Sequence, residues 1–186
     1  MRAMPSTKGR LLVASPLLND PNFERTVILM LEHAEEGALG VVLNRPSALD
    51  VHEALPDWAR FTGTPEVVFV GGPVGQGSVI GLSRCATEPP EGMWQHVLGA
   101  IGVLDLSTDA DEVGAVVDAV RVFTGYAGWG GGQLEGELTE GAWFVVDADE
   151  ADPMSQDPEG LWRTVLRRQP PPLNRYAMYP PNPNMN

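Results

Sequence analysis

The chain has 186 residues, one cysteine, and 25 acidic against 12 basic side chains, for a net charge of -13. That length suits one domain, which at this size buries roughly 70% of its unfolded surface and holds together without disulfide or metal staples. The charge disfavours nucleic-acid backbones and anionic membranes as partners, since both reward clustered basic residues, and a lone Cys85 excludes an intramolecular disulfide.

Basic residues gather only at Arg163, Arg167, Arg168 and Arg175. Lys8 is the only lysine, so a Walker-type phosphate loop is excluded and Schiff-base chemistry disfavoured. The apolar run Leu11–Ala14 is too short for a signal segment, and no run approaches the roughly 18 apolar residues of a membrane span. A cytoplasmic protein is the expectation.

In chain order, residues 1–9 read as a loose arm and Arg10–Ser15 as a strand stopped by Pro16. Asn19-Asp20-Pro21-Asn22 stacks turn formers. Val27–His33 and Leu39–Leu43 are apolar runs joined at Gly37, which predicts an antiparallel hairpin closed by Asn44-Arg45-Pro46. Val51–Phe61 predicts a short helix broken near Pro56; Glu66–Val70, Ser78–Ser83 and Val97–Leu106 predict strands. Asp111–Phe123 predicts a helix, because Val113, Val116, Val117, Val120 and Phe123 share one helical face, with Asp109 and Glu112 capping it and Gly125 ending it. Gln133–Thr139 predicts a turn or two of helix, Ala142–Val146 a strand, 147–159 a solvated acidic loop with six carboxylates, and Leu161–Arg168 a short helix. From Gln169 onward six prolines favour an extended or disordered tail over 169–186. Strands and helices do not alternate regularly, so the fold class is α+β with one compact domain over 10–168.

Three constellations carry chemistry. Asp20, Asn22 and Arg25 precede one hairpin strand and Asn44 and Arg45 follow the other, so antiparallel pairing brings their ends together. Two guanidinium groups and two amides suit a carboxylate or phosphate; Asx-turn bonding with local ion pairs explains the same residues. Gly71 and Gly72 open a glycine loop suited to an anion nest or to a plain turn. Gly125, Tyr126, Gly128, Trp129 and Gln133 suit a ligand wall, or a helix cap followed by a turn with both aromatics in the core. His33, His52 and His96 lack metal-ligand spacing, and Cys85 reads as a buried small hydrophobe. No catalytic, metal or cofactor set emerges.

Gly9-Arg10-Leu11-Leu12-Val13-Ala14-Ser15-Pro16, Asp20-Pro21-Asn22-Phe23-Glu24-Arg25-Thr26-Val27 and Gly37-Ala38-Leu39-Gly40-Val41-Val42-Leu43-Asn44-Arg45-Pro46 resemble the YqgE/AlgH family. Val70-Gly71-Gly72-Pro73-Val74, Gly125-Tyr126-Ala127-Gly128-Trp129, Gln133-Leu134-Glu135 and Trp143 extend the likeness over about 9–168. The resemblance implies a bacterial cytoplasmic α+β domain whose bent mixed sheet closes toward a barrel with helices packed on it. Some members are labelled transcriptional regulators. It brings no cofactor or catalytic residue.

The leading expectation is a non-enzymatic binding or regulatory protein acting through a small anionic ligand or a protein partner, with direct DNA binding disfavoured by charge. The alternative is an enzyme whose polar cleft uses Asp20, Glu32 or His33 as acid or base. A minimal P-x-x-P at Pro180-Pro181-Asn182-Pro183 offers a further docking motif.

Overall fold

A computed structural model describes residues 4–180. The P-x-x-P segment from Pro181 onward lies outside the described residues. Ten strands and four short α-helices follow in chain order: β1 Arg10–Ala14, β2 Val27–Ala34, β3 Gly37–Val42, β4 Pro46–Asp50, α1 Val51–Ala54, β5 Val67–Val70 and β6 Val74–Cys85. Then come β7 Trp94–Leu98, β8 Ile101–Leu104, α2 Ala110–Val113, β9 Val117–Gly130, α3 Gln133–Thr139, β10 Trp143–Asp147 and α4 Leu161–Arg167.

The strands make one curled, largely antiparallel half-barrel in the order β10-β1-β2-β3-β9-β6-β8-β7, with β4-β5 joined to β9. The mixed α+β class holds, with few helices: the longest, α3 and α4, have seven residues each. β5 and β9 form the one parallel pair between named strands among the described residues. β9 holds the sheet together, because its first part pairs with β6, Phe123 and Thr124 also meet β5, and Ala127–Gly130 pair with β3.

Both faces of β1 and of β2 as far as Leu31 are buried. Leu11, Val13, Val27, Leu29 and Leu31 join a core with Phe69, Phe123 and the inner side of α4 (Leu161, Trp162, Val165, Leu166). Leu12, Ala14, Ile28 and Met30 join the opposite core with Trp129, Trp143 and Leu134 of α3. Double burial is why these strands read as unbroken apolar runs rather than alternating ones. The predicted β2–β3 hairpin forms, with a bulge between Met30 and Glu32.

The helix predicted over Asp111–Phe123 does not form. α2 starts as expected, with the Asp109 side chain accepting from Asp111 N–H, but stops after Val113, and Val117–Gly130 is the longest strand of the sheet. Val120 and Val122 enter one core and Phe123 another, so strand parity with both faces covered also satisfies a pattern that fits a helical face. Branched valines gain more from cross-strand packing than from a helix that freezes their χ1. Gly125 is therefore no helix cap. It sits at φ 71° inside β9, where the register with β6 shifts.

Two terminal regions differ from their compositional reading. Thr7, within the arm expected to be loose, is buried and bonded to His33. In the tail, Leu173–Met178 form a 3-10 helix whose Ala177 and Tyr176 reach the core, Tyr176 stacking on Phe144. The acidic segment 147–159 is not simply solvated. Asp152, only 3% exposed, takes both Arg168 nitrogens, Nη1 at 2.7 Å and Nη2 at 2.5 Å, and Glu150 accepts the Ala100 N–H at 2.7 Å. The Asp152 carboxylate raises the pKa of Arg168 through its hydrogen bonds.

Candidate functional site

The segment 20–26 is a chain of tight turns. Asp20 Oδ1 accepts from Asn22 N–H at 2.9 Å, and the Asp20 carbonyl accepts from Phe23 and Glu24. Asn44 then staples this turn to the hairpin: its Oδ1 accepts from Val27 N–H at 2.9 Å and its Nδ2 donates to the Arg25 carbonyl at 2.8 Å. One side chain satisfies a donor and an acceptor that would otherwise be left at a strand end. Arg25 is held at φ 52°, a region costly for a residue with a Cβ.

Arg45 lies under the same turn. Its Nη1 donates to the Asn22 carbonyl at 2.7 Å and its Nη2 to the Glu24 carbonyl at 3.1 Å. Burial lowers its pKa, opposed by the nearby Glu24 and Asp20 carboxylates. A small hollow of about 50 Å³ opens beside it, lined by Asn22, Val42, Arg45, Val70, Gly72, Pro73 and Gln76. Three segments distant in sequence thus converge at one point. Gly72 lines it and Gly71 supports it from behind, their backbone lying directly on Tyr126 and Gly125 of β9. Gly71 N–H donates to the Thr124 carbonyl, and the Gly71 carbonyl accepts from Val42 N–H, both at 2.8 Å.

Of the residues singled out from sequence, Asn22, Arg45 and Gly72 line this hollow and Gly71 supports it. Tyr126 lies against Gly75 and would meet a side chain at Gly128. Arg25 points elsewhere, lining a separate hollow with Leu17, Asn19, Tyr179 and Pro180. Trp129 is no ligand wall. It is buried under α3, stacked with Phe23 and edge-on to Trp143, and both indole N–H groups donate to Glu137 Oε2 at 2.8 Å. Gln133 caps locally, accepting from Gly130 N–H at 3.1 Å and reaching Glu137 Oε1 at 3.3 Å. Gln76, Pro73, Val42 and Val70 were not singled out from sequence, because only the fold of the glycine loop brings them to Arg45.

The acid/base trio does not assemble. Asp20 is used in its own turn, Glu32 is exposed, and His33 lies near the far end of β2, about 20 Å away at the usual strand rise. His33 makes a different constellation. Thr7 N–H donates to its Nδ1 at 2.9 Å, so Nε2 carries the proton and donates to Glu135 Oε1 at 2.7 Å. Thr7 Oγ1 is also 3.0 Å from Nδ1. Carboxylate, imidazole and hydroxyl stand in a relay, but Thr7 is buried, so no substrate carbonyl can approach its hydroxyl. The relay anchors the arm, and the His33 hydrogen bond in turn pulls the Glu135 pKa down. Replacing His33 by Phe keeps the ring and removes both bonds. Stability falls by about 2 kcal/mol in urea titration, and limited proteolysis cuts ahead of Gly9 several-fold faster; unchanged cleavage there contradicts the anchor.

His52 and His96 sit apart from His33, the first 3.4 Å from Glu66 Oε2 and the second 3.0 Å from the Gly99 carbonyl. Cys85 is buried, and desolvation pushes its thiol pKa up, which outweighs its Ser83 hydrogen bond. Among the described residues no helix is long and apolar enough to cross a membrane.

A family model described as AlgH-like (DUF179) matches residues 11–174. A UPF0301 protein of Streptomyces coelicolor is 52% identical, covering 100% of this chain and 98% of that one. A UPF0301 protein of Mycobacteroides abscessus is 42% identical, with 92% and 84% covered. Among solved structures, the crystal structure of a Corynebacterium diphtheriae protein superposes with a TM-score of 0.89 at 32% identity, covering 96% of this chain and 95% of that one. The solution structure of the AlgH protein from Pseudomonas aeruginosa gives a TM-score of 0.70 at 30% identity, covering 97% and 98%. Sequence and architecture therefore agree from end to end of the matched region, and the chain belongs to the AlgH-like family.

Proposed function

We propose that the protein is a non-enzymatic binding protein of regulatory type that receives an acidic group at the Arg45 hollow. The observation that carries this reading is the convergence of the 20–26 turn, the 44–46 strand end and the 71–77 glycine loop on one guanidinium. Arg45 has five N–H donors and uses two on the turn carbonyls. Its charge persists at neutral pH, and a carboxylate or phosphate is the group best matched to the remaining donors.

Size narrows the ligand. About 50 Å³ admits a small acidic group at most and falls far below the volume of sites that enclose drug-sized molecules. Val70, Val74 and Val79 are exposed large hydrophobics at this end of β5 and β6, Val70 lining the hollow itself. The body of a larger ligand, or the surface of a protein partner, can lie on that apolar lip with its acidic group inserted. Regulation through such a partner fits a net charge of -13 better than direct contact with DNA.

Titration of the 15N-labelled protein with inorganic phosphate and N-acetylglutamate tests the reading. Saturable shifts at Asn22, Gly72 and Gln76 are expected, with affinity reduced about tenfold in Arg45→Lys, which loses the planar fork. Absence of shifts at Gly72 and Gln76 at low ionic strength with ligand at about 20 mM, roughly twenty times a 1 mM dissociation constant, removes this site. Random-sequence DNA is expected to produce no salt-sensitive binding.

A further inference from the structure

We propose a second anion site, formed by Arg25 and Arg163 and occupied here by the chain's own C-terminal segment, which takes the C-terminal carboxylate of a peptide ending in an apolar residue. The Tyr179 carbonyl oxygen accepts from Arg25 Nη2 at 3.0 Å and from Arg163 Nη2 at 3.3 Å. Arg25 Nη2 also donates to the Pro180 carbonyl, and Arg163 Nη1 donates to the Ala177 carbonyl at 2.6 Å. One neutral peptide oxygen therefore sits between two cations, the position an anion oxygen would take.

The charges explain why that occupant is replaceable. Arg10, Arg60, Arg84 and Arg168 each reach an acidic side chain. Among the described residues Arg25 and Arg163 form no ion pair, in a chain where acids outnumber bases two to one. Burial and the neighbouring Arg163 both lower the Arg25 pKa, and Glu24, on the same hollow, only partly offsets them. A full negative charge between the two guanidinium groups relieves their mutual repulsion, which a carbonyl dipole does only in part.

Geometry supplies the rest. Trp162 stacks under the Arg25 guanidinium with 4.6 Å between its centre and the ring centroid, and Asn44 holds the left-handed backbone that aims this side chain. The hollow alongside is lined by Pro16, Leu17, Asn19, Glu24, Tyr179 and Pro180. Leu17 is 81% exposed and shares this hollow with Arg25. Pro16 and Leu17 beside the Arg25 guanidinium match a peptide terminus, and peptide carbonyls already occupy that guanidinium.

The test is titration of the full chain with N-acetyl-leucine, N-acetylglycine and N-acetyl-leucinamide, followed by the Trp162 indole N–H and the amides of 177–179. Saturable shifts are expected with N-acetyl-leucine near 1 mM, about tenfold weaker with N-acetylglycine, and absent with the amide. Arg163→Gln and Arg25→Gln should each weaken binding about tenfold, and hydrogen exchange at the Tyr179 amide should quicken as the segment is displaced. Equal response to the amide, indifference to both substitutions, or the same shifts from matched chloride overturns the proposal. Responses at Trp162 and at Gly72–Gln76 are separate, so either site can fail alone.

Discussion

Replacing Arg121 by methionine is expected to cost about 3 kcal/mol of stability. Arg121 lies on β9 and is 4% exposed. No acidic partner meets it among the described residues. Instead Nη1 donates to the Pro153 carbonyl at 3.2 Å and the Ser155 carbonyl at 2.7 Å, Nη2 donates to the Thr64 carbonyl at 3.1 Å, and the guanidinium sits 4.6 Å over the Phe69 ring. It ties the 64 and 153–155 loops to the centre of the sheet. Methionine fills the space and leaves three carbonyls facing an apolar group, each costing about 1–3 kcal/mol if water cannot reach it. Relief of the buried charge offsets part of this.

The pH dependence separates the two contributions. Burial lowers the Arg121 pKa to about 10, well below the value an arginine keeps in the unfolded chain. Between those values the unfolded chain binds more protons than the folded one, so stability contributed at this position rises with pH across that window. The penalty for the buried charge is fully present below pH 10 and is relieved as pH rises toward the unfolded-chain value, by at most about 3 kcal/mol. The gap between the native protein and Arg121→Met should therefore widen above pH 10 in denaturant titrations. A gap that is absent at pH 7, or that narrows above pH 10, contradicts the account.

The same strand shows where sequence reading works and where it stops. β1, the β2–β3 hairpin, α3 and α4 were legible because each is bounded by its own turn chemistry: Pro16, Gly37, Gly132 and the proline group after Gln169. β9 was not, since burial on both faces erases the alternation that marks a strand and leaves valine spacings that a helix also fits. The convergence of Asn22 and Arg45 was legible from hairpin pairing alone. That Arg25 would leave them for Tyr179 was not, because its partner lies in a tail whose composition favours disorder and whose order comes from Tyr176 and Ala177 entering the core. Arg121 carried a signal, a charge between Val120 and Val122 within an apolar run, but a strand assignment was needed to read it as buried.

Substituting alanine at Gly72 should abolish the soluble folded protein, a loss above about 4 kcal/mol. Gly72 has φ 155°, and a Cβ built there would overlap the Tyr126 carbonyl group and the Ala127 nitrogen. All of these are backbone atoms of the strand that joins β3, β5 and β6, so none can give way without breaking the sheet. Gly125, at φ 71°, makes the reciprocal approach to the Gly72 carbonyl. The two glycine-rich segments are thus one crossing of main chains, and the Arg45 hollow exists because that crossing leaves its mouth between Gly72 and Gln76. Gly77, in the same loop, has open space where a Cβ would go. Gly77→Ala should leave stability within about 0.5 kcal/mol of the native protein. Circular dichroism and urea titration of the two variants decide it: a folded Gly72→Ala protein, or a Gly77→Ala protein as damaged as its neighbour, means the loop is held by something other than this backbone contact.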